Sequence, residues 1–313
     1  MILFGEHAVV SGAPALGAAV DMRVRVRVED ASGLVIEARN LDLVLDGLAV
    51  DPLSRTADMK AITGKALHAT RYVSAVLAEV EARNLRVVVE SEIPPSSGLG
   101  SSSSVVVATL AALNDHLGLG LSPVEIAERA YSIEKNVQKG MGSRMDTALA
   151  TFGGYQVVTG EAEPVDLPKL DLIVGCTGKP HDTGLEVEKV QRLRARYPDV
   201  VDPVFEAMGA ISRRALTPLK ERKLTELGIL MNVNHGLLES IGVGTRELAE
   251  LVYAARGAGR ALGAKLTGAG GGGCMIALPG PEYLDRSRAM TAIVQAGGEA
   301  FPVTTGCEGV WLG

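Results

Sequence analysis

The segment that most constrains the fold is a glycine- and serine-rich stretch, which lies between a strand pattern and a helix pattern. It runs from Pro94 to Ser104 and reads PPSSGLGSSSS. The apolar, β-branched residues 85–90 predict a strand before it, and residues 105–113 predict a helix after it. Glycine lets a backbone approach a ligand closely, and a helix start presents free N–H groups and a positive dipole end. This junction favours a phosphate-binding loop over the alternative, a polar turn with a serine N-cap.

Neither of the common nucleotide-binding fingerprints is present at this loop. No lysine follows its glycines, so the pattern G-x-x-x-x-G-K-[ST] is absent. The acidic residue that the Rossmann spacing requires is absent as well. We therefore expect the loop to bind phosphate in another way.

A second glycine loop is predicted at Thr267–Gly273, directly before the apolar strand pattern 274–278. Five of its seven residues are glycines, which is more than a turn requires. A ligand loop is therefore favoured, and the alternative is that two backbone segments pass closely at these glycines.

Two carboxylates that follow the first loop could take part in chemistry. Asp146 precedes the small-residue run 147–150, where it could accept a proton from a substrate hydroxyl or cap a helix, and the two interpretations are weighed equally. Glu134 lies near the end of a helix that is predicted to begin at the capping box 122–125. Glu134 could bind Mg²⁺, but by itself this position favours a solvent-facing helix residue.

Composition limits the partners and the compartment. The chain has 313 residues and a net charge of −6, which argues against nucleic acid or an anionic membrane as a partner. The three cysteines are odd in number and widely spaced, so no disulfide framework is expected, and the histidines show no metal-ligand spacing. No apolar run reaches membrane length and no leader pattern is seen, so the cytoplasm is the expected location.

The order of the predicted elements indicates an α+β protein with two domains. Strand patterns come first, and helix patterns follow between 184 and 262. Strands return after the second glycine loop, the last two of them near 299–303 and 308–312. The polar, proline-containing segment 160–168 is the predicted domain boundary or inter-strand loop, and the domains are assigned to 1–163 and 164–313. Two anion loops and a candidate acidic base together predict a phosphoryl transferase.

Three segments together resemble the GHMP kinases, the superfamily of galactose, homoserine, mevalonate and phosphomevalonate kinases. They are Gly5–Gly12, Pro94–Ser103 and Lys265–Gly273, in the family's order. The sequence GEHAVV at the start of the first segment, together with residues 230–238, is similar to mevalonate kinases, and the length and second glycine loop look most like the archaeal ones. The resemblance implies a ribosomal-S5-like N-terminal domain, a ferredoxin-like C-terminal domain, and an active site between them.

For the site, the resemblance implies ATP-dependent phosphorylation of the C5 hydroxyl of mevalonate. Asp146 would be the general base or orienting group, and Ser102 and Glu134 would hold Mg²⁺. The residues expected at ATP are Pro94, Ser96, Ser97, Gly98, Leu99, Gly100, Ser101, Ser102, Ser103, Gly270 and Gly271. The residues expected at the substrate are Glu6, His7, Thr183, Gly268 and Ala269. ATP and mevalonate are the expected partners, and a homodimer is the assembly considered.

The sequence departs from the family pattern in two places. Mevalonate kinases carry a lysine a few residues before Gly-Glu-His, whereas residues 1–4 here read Met-Ile-Leu-Phe, so either the recorded start is late or another cation substitutes. Glu134 lies twelve residues before Asp146, one more than the pattern predicts, and an insertion near Lys139 would restore the register. Arg144 could add positive charge at the transferred group, but a surface arginine is favoured.

Two other functions stay open at this point. A sibling kinase acting on phosphomevalonate, or on another small hydroxy acid or polyol, would need extra basic residues, and the sequence has no obvious basic cluster. A non-catalytic relative that only binds a nucleotide or metabolite would fit the missing lysine. The intact glycine loops and Asp146 argue against that second alternative.

Overall fold

The computed structural model describes residues 1–39, 43–46, 50–51, 56–57, 64–94, 97–138, 140, 143–179 and 182–313. The strands are β1 (Ile2–Phe4), β2 (Ala15–Ala18), β3 (Val24–Asp30), β4 (Val35–Ala38), β5 (Leu43–Asp46), β6 (Val50–Asp51), β7 (Thr56–Ala57), β8 (Leu85–Ser91), β9 (Tyr155–Val158), β10 (Ala162–Val165), β11 (Asp171–Cys176), β12 (Gly263–Leu266), β13 (Cys274–Leu278) and β14 (Glu299–Thr304). The helices are α1 (Gly64–Glu79), α2 (Ser101–Leu117), α3 (Pro123–Val137), α4 (Arg144–Phe152), α5 (Thr183–Arg196), α6 (Pro198–Lys220), α7 (Leu224–Ser240), α8 (Arg246–Arg256) and α9 (Asp285–Gln295), with a short 3₁₀ helix at Ala8–Ser11.

The first half of the chain builds two larger sheets and a two-stranded one. One sheet has the order β1-β2-β9-β10, the second has the order β3-β8-β4-β5, and β6 pairs with β7. Helices α1, α2 and α3 share a core with the second sheet, in which apolar residues such as Val76, Val87 and Leu110 are fully buried. Helix α4 packs on the first sheet through Met145 and Leu149.

The second half confirms the predicted ferredoxin-like arrangement. Its sheet has the order β14-β11-β13-β12, and all three pairings are antiparallel. Along the chain these strands come as β11, helices, β12, β13, helix and β14, which is the β-α-β-β-α-β pattern. Strand β12 lies at the sheet edge and leads directly into the second glycine loop.

A shared hydrophobic cluster joins the two halves. Phe4 and Leu16 of the first sheet lie in the same buried cluster as Leu172 and Ile276 of the last sheet, with Met231 of α7. Burying apolar side chains from both sheets in one core stabilises their relative position. The segments that carry the three motifs are therefore held at a common interface.

Two expectations about strands are corrected. Residues 162–165 of the supposed loop 160–168 form β10, an edge strand that tolerates Pro164 because its outer side has no ladder partner to satisfy. The predicted boundary between 163 and 164 falls inside this strand, and the division into two domains stays a prediction. The strand expected near 308–312 is reduced to an isolated bridge between Gly153 and Glu308.

The expectation about the cysteines is wrong, because Cys176 and Cys274 form a disulfide. They are directly opposed residues of the antiparallel strands β11 and β13. The Thr177 N–H donates to the Gly273 carbonyl at 2.9 Å, so the cysteines occupy a non-hydrogen-bonded pair, where side chains come closest. Their separation of 98 residues conceals this contact in the sequence.

The capping box at the start of α3 is confirmed by reciprocal hydrogen bonds between Ser122 and Glu125. Within the part of the chain that the structure describes, no helix combines the length and apolarity needed to cross a membrane.

Candidate active site

The first glycine loop ends at a helix start that the described residues leave without a side-chain cap. Gly100 is the N-cap of α2 with a φ of 75°, a left-handed conformation that favours glycine. Its carbonyl accepts from the Ser104 N–H at 2.9 Å, which begins the helix. The alternative of a serine N-cap is therefore wrong. The first N–H groups of α2 have no partner within the helix, as an anion site requires.

Glu134 faces this helix start from α3. The Ser102 hydroxyl donates to Glu134 Oε1 at 2.6 Å, and the Ser103 hydroxyl donates to Oε2 at 2.6 Å. Gln138 Nε2 also donates to Oε1, at 3.0 Å. Glu134 is only 5% exposed, so the solvent-facing interpretation is wrong, and burial raises its pKa to about 7.

Asp146 lies against the end of the same loop. Helix α4 is capped by Ser143, whose hydroxyl accepts from the Met145 N–H, so Asp146 is not the N-cap. A side-chain carbon added at Gly100 would lie 3.2 Å from Asp146 Oδ1, so the carboxylate contacts the loop backbone. Burial raises the pKa of Asp146, and no described residue bonds its Oδ1. This oxygen is an acceptor beside the helix start.

The second glycine loop touches the first through its backbone. A side-chain carbon at Gly268 would lie 2.8 Å from the Gly98 Cα atom, so only glycine allows this approach. Gly271 N–H donates to the Val243 carbonyl at 2.9 Å, and a carbon at Gly270 would lie 2.3 Å from that carbonyl oxygen. Close backbone passage, the alternative interpretation of this loop, is therefore correct for these glycines.

His7 connects the first motif to the second loop. Its Nε2 lies 2.9 Å from the Ala269 carbonyl oxygen, and because a carbonyl only accepts, Nε2 carries the proton. Burial lowers the pKa of His7, so the ring is neutral and its Nδ1 is an acceptor that no described residue bonds. Its φ of 60° is unusual for a residue other than glycine, and such strain is frequent at functional sites.

The remaining residues expected at the substrate differ in their burial and contacts. Glu6 is buried, and its carboxylate oxygens bond Lys265 Nζ and Asn234 Nδ2. Thr183 is the exposed first residue of α5, a helix whose Glu186 side chain lies against Gly271.

Within the first loop, Leu99 is buried in the shared core, and Ser97, two residues before it, is buried as well. Ser96 lies outside the described residues, whereas Pro94 lies within them. Arg144 does not face the loops, because its guanidinium pairs with Glu128 and lies 4.6 Å from the ring centre of Tyr131.

Sequence reasoning missed Lys265 and Asn234 as partners of Glu6. Lys265 was visible as the first residue of the third motif, and Asn234 lay in the segment 230–238 that carried the resemblance. The sequence does not indicate that either residue contacts Glu6, because Lys265 lies 259 residues and Asn234 228 residues further along the chain.

The donor set at the first loop suits a hard cation. Among the described residues there is no cluster of three or more His, Cys, Asp or Glu side chains that could enclose a metal. Ser102 and Glu134 instead offer a hydroxyl and a carboxylate within hydrogen-bond distance of each other. Mg²⁺ is usually bound by one or two protein oxygens together with substrate phosphates, so this pair fits it.

Known proteins are similar to this chain in both sequence and fold. The family model described as GHMP kinases N terminal domain matches residues 66–154, and the one described as GHMP kinases C terminal matches residues 215–300. The mevalonate kinase of Pyrococcus horikoshii is 42% identical, over 99% of this chain and 94% of its own length. That of Saccharolobus solfataricus is 34% identical, over 90% and 88%. The crystal structure of L. major mevalonate kinase in complex with R-mevalonate has a TM-score of 0.78 at 27% identity, covering 99% and 94% of the two chains.

The fold, the helix-start anion site and the adjacent carboxylates define a kinase that uses ATP. With both family models matched and relatives of this identity over nearly the whole chain, the chain belongs to the GHMP kinase family.

Proposed function

We propose that the protein transfers the γ-phosphoryl group of ATP to the C5 hydroxyl of mevalonate, forming 5-phosphomevalonate and ADP. The observation that carries this proposal is the position of Asp146 Oδ1, a buried acceptor against Gly100 at the start of α2. The identity of 42% to an archaeal mevalonate kinase supports the choice of substrate.

The ATP phosphates bind at the first loop and at the uncapped start of α2. The backbone N–H groups and hydroxyls there supply donors, and the helix dipole favours negative charge. The residues proposed at ATP are Pro94, Ser96, Ser97, Gly98, Leu99, Gly100, Ser101, Ser102, Ser103, Gly270 and Gly271. Phosphoryl transfer needs mainly positioning and charge stabilisation from the protein, which such a loop provides.

Ser102 and Glu134 are the proposed ligands of Mg²⁺. When bound, the ion would neutralise charge on the phosphate oxygens. Glu134 accepts hydrogen bonds from the hydroxyls of Ser102 and Ser103, which hold the carboxylate toward the start of α2.

Asp146 is the proposed general base or orienting group. As the C5 oxygen forms its bond to phosphorus and the bond to ADP breaks, the hydroxyl proton moves to Asp146. A buried carboxylate with a raised pKa holds such a proton better than an exposed one.

The proposed substrate side is formed by His7, Thr183, Gly268 and Ala269. His7 Nδ1 offers a buried acceptor, and the ring is held in one tautomer by the Ala269 carbonyl. Glu6 directly precedes His7 in the same segment.

A coupled assay of ADP release with Mg-ATP and a panel of small alcohols tests the proposal. We expect turnover with mevalonate and not with phosphomevalonate, galactose or homoserine. Preference for phosphomevalonate would replace the substrate assignment with a sibling kinase. ATP binding without turnover on any alcohol would instead indicate a non-catalytic relative.

We also propose a homodimer in the cytoplasm. Ile229 and Val233 expose apolar side chains one turn apart on α7, and a second copy of the chain packed on this face would bury them. Light scattering after gel filtration measures the mass.

A further inference from the structure

Three buried polar side chains from three distant segments meet beside the second glycine loop. Glu6 follows β1, Asn234 lies in α7 and Lys265 lies in β12, and their exposed fractions are 1%, 0% and 0%. Glu6 Oε1 pairs with Lys265 Nζ, and Glu6 Oε2 accepts from Asn234 Nδ2 at 3.1 Å. Lys265 Nζ also donates to the Leu266 carbonyl at 2.7 Å.

These contacts occupy both oxygens of the Glu6 carboxylate. A substrate group that displaced Lys265 from this carboxylate would leave an ammonium without its counter-charge in the protein interior. Removing one member of a buried ion pair is strongly destabilising, whereas the intact pair adds little net stability. Such a pair is better suited to holding segments in a fixed relation than to binding a ligand that enters and leaves.

The segments that the pair holds carry the proposed substrate groups. Glu6 directly precedes His7, whose backbone has the unusual positive φ. Lys265 lies four residues before Ala269, the carbonyl that accepts from His7 Nε2. The Thr267 hydroxyl adds a third link, donating to the Ile2 carbonyl at 2.8 Å. Residues 2–7 and residues 265–269 are thus joined at three points.

Helix α7 bonds the backbone of β12 at the edge of this strand that faces away from β13. The Asn232 side chain accepts from the Ala264 N–H at 3.1 Å, and His235 Nδ1 accepts from the Leu266 N–H at 3.4 Å. Strand β12 is an edge strand, so these side chains replace the strand partner that it lacks. Asn234, between them in sequence, extends the alignment to Glu6.

We propose that Glu6 is a positioning residue: with Lys265 and Asn234 it sets His7 against the second glycine loop and makes no contact with the substrate. This inference rests on the proposed function and departs from the expectation that Glu6 contacts mevalonate. Lys265 and Asn234 thereby acquire a role in substrate binding although neither reaches the site surface.

The test compares Glu6→Gln, Lys265→Met and the double variant by steady-state kinetics with mevalonate. We expect each single variant to lose about 100-fold in kcat/KM, with KM and kcat both affected, because the substrate side is misaligned. The double variant, with no buried charge, should be no worse than either single one. The exposed pair Glu221 and Lys223 provides matched controls, Glu221→Gln and Lys223→Met, which should leave the kinetics unchanged.

A second measurement does not depend on the substrate. In NMR spectra of protein labelled with ¹⁵N-histidine, the ring nitrogens of His7 should show the Nε2–H tautomer. The His7 signal is assigned as the one that is absent from the spectrum of His7→Gln. Asn234→Ala, which keeps the ion pair and is the variant most certain to fold, should shift this signal and raise the KM for mevalonate. The shift reports on positioning even if the wild type fails to phosphorylate mevalonate, so the two proposals fail separately.

Two results would overturn the inference. One is an Asn234→Ala variant with an unchanged His7 signal and an unchanged KM. The other is a loss of mevalonate binding in Glu6→Gln while Lys265→Met retains it, since that pattern marks Glu6 as a direct ligand.

Discussion

Both loops contain glycines in left-handed conformations, but the two loops use them differently. In the first loop, Gly100 adopts a left-handed conformation that ends the loop and begins α2 without a side-chain cap among the described residues. In the second loop, Gly268 and Gly270 lie against the backbones of Gly98 and Val243, where a side-chain carbon would collide. The first loop leaves helix N–H groups available for the proposed ATP phosphates, and the second fits between neighbouring segments.

The difference shows that a run of glycines in a sequence has two separate physical causes. A backbone that must approach phosphate and a backbone that must approach another backbone both exclude a Cβ atom. Only the surroundings distinguish them. At the first loop these surroundings are a helix start, the buried carboxylate of Glu134 and the partly buried carboxylate of Asp146, and the proposed chemistry depends on them.

The largest effect on activity is expected at Asp146, the carboxylate of α4 that lies against the first loop. Asp146→Asn keeps the shape but removes the proton acceptor, so we expect kcat to fall by about 10³-fold while ATP affinity is kept. ADP release and nucleotide titration calorimetry measure the two quantities. Asp199→Asn, in the exposed first turn of α6, is the control. Comparable activity in Asp146→Asn would remove the chemical distinction between the loops.

The second prediction concerns pH. Burial raises the pKa of Glu134 from 4.5 to about 7, so the folded protein keeps a proton that the unfolded chain releases over this range. The contribution of Glu134 to the free energy of unfolding is therefore fully present below pH 4.5. It is lost as the pH rises to about 7 and above, and the loss is about 3 kcal/mol at most. Denaturant unfolding without ligands should show this fall in unfolding free energy with pH, and Glu134→Gln should make it smaller. An equal slope in the variant would assign the proton elsewhere.

The third prediction separates crowding from backbone strain at the second loop. Gly268→Ala and Gly118→Ala place a side chain at similar positive φ values, 77° and 63°, but only Gly268 has neighbours within 4 Å. We expect Gly118→Ala to cost about 1 kcal/mol of unfolding free energy. Gly268→Ala should cost about 2 kcal/mol more, because the Gly98 backbone must move. Equal losses of unfolding free energy in the two variants would mean that the backbones of Gly268 and Gly98 are not in close contact.

The smallest effect is expected for Arg144→Ala. Its guanidinium is engaged by Glu128 and the Tyr131 ring, so it supplies no charge to the first loop. We expect kcat to stay within about twofold, whereas a cation that stabilises the transition state contributes about 100-fold or more. A loss of that size would show that the first loop draws on a further positive group.

Local features were predicted well because their causes are local. The capping box at Ser122 and Glu125 and the strand–loop–helix junction at Gly100 depend on residues a few positions apart. The strand expected near 308–312 failed because pairing depends on a distant partner, and only the bridge from Glu308 to Gly153 forms. The disulfide was missed for the same reason.

The sequence by itself determined the family, the order of the motifs and the kinds of residue that the site contains. It left open whether Asp146 capped a helix, whether Glu134 faced solvent and what Glu6 contacted. Only the tertiary structure decided these, because each depends on what lies opposite. Ser143 takes the cap position, α2 covers Glu134, and Lys265 arrives at Glu6 from 259 residues away. Burial and pairing across such distances are properties of the packed chain, and no local pattern of residues contains them.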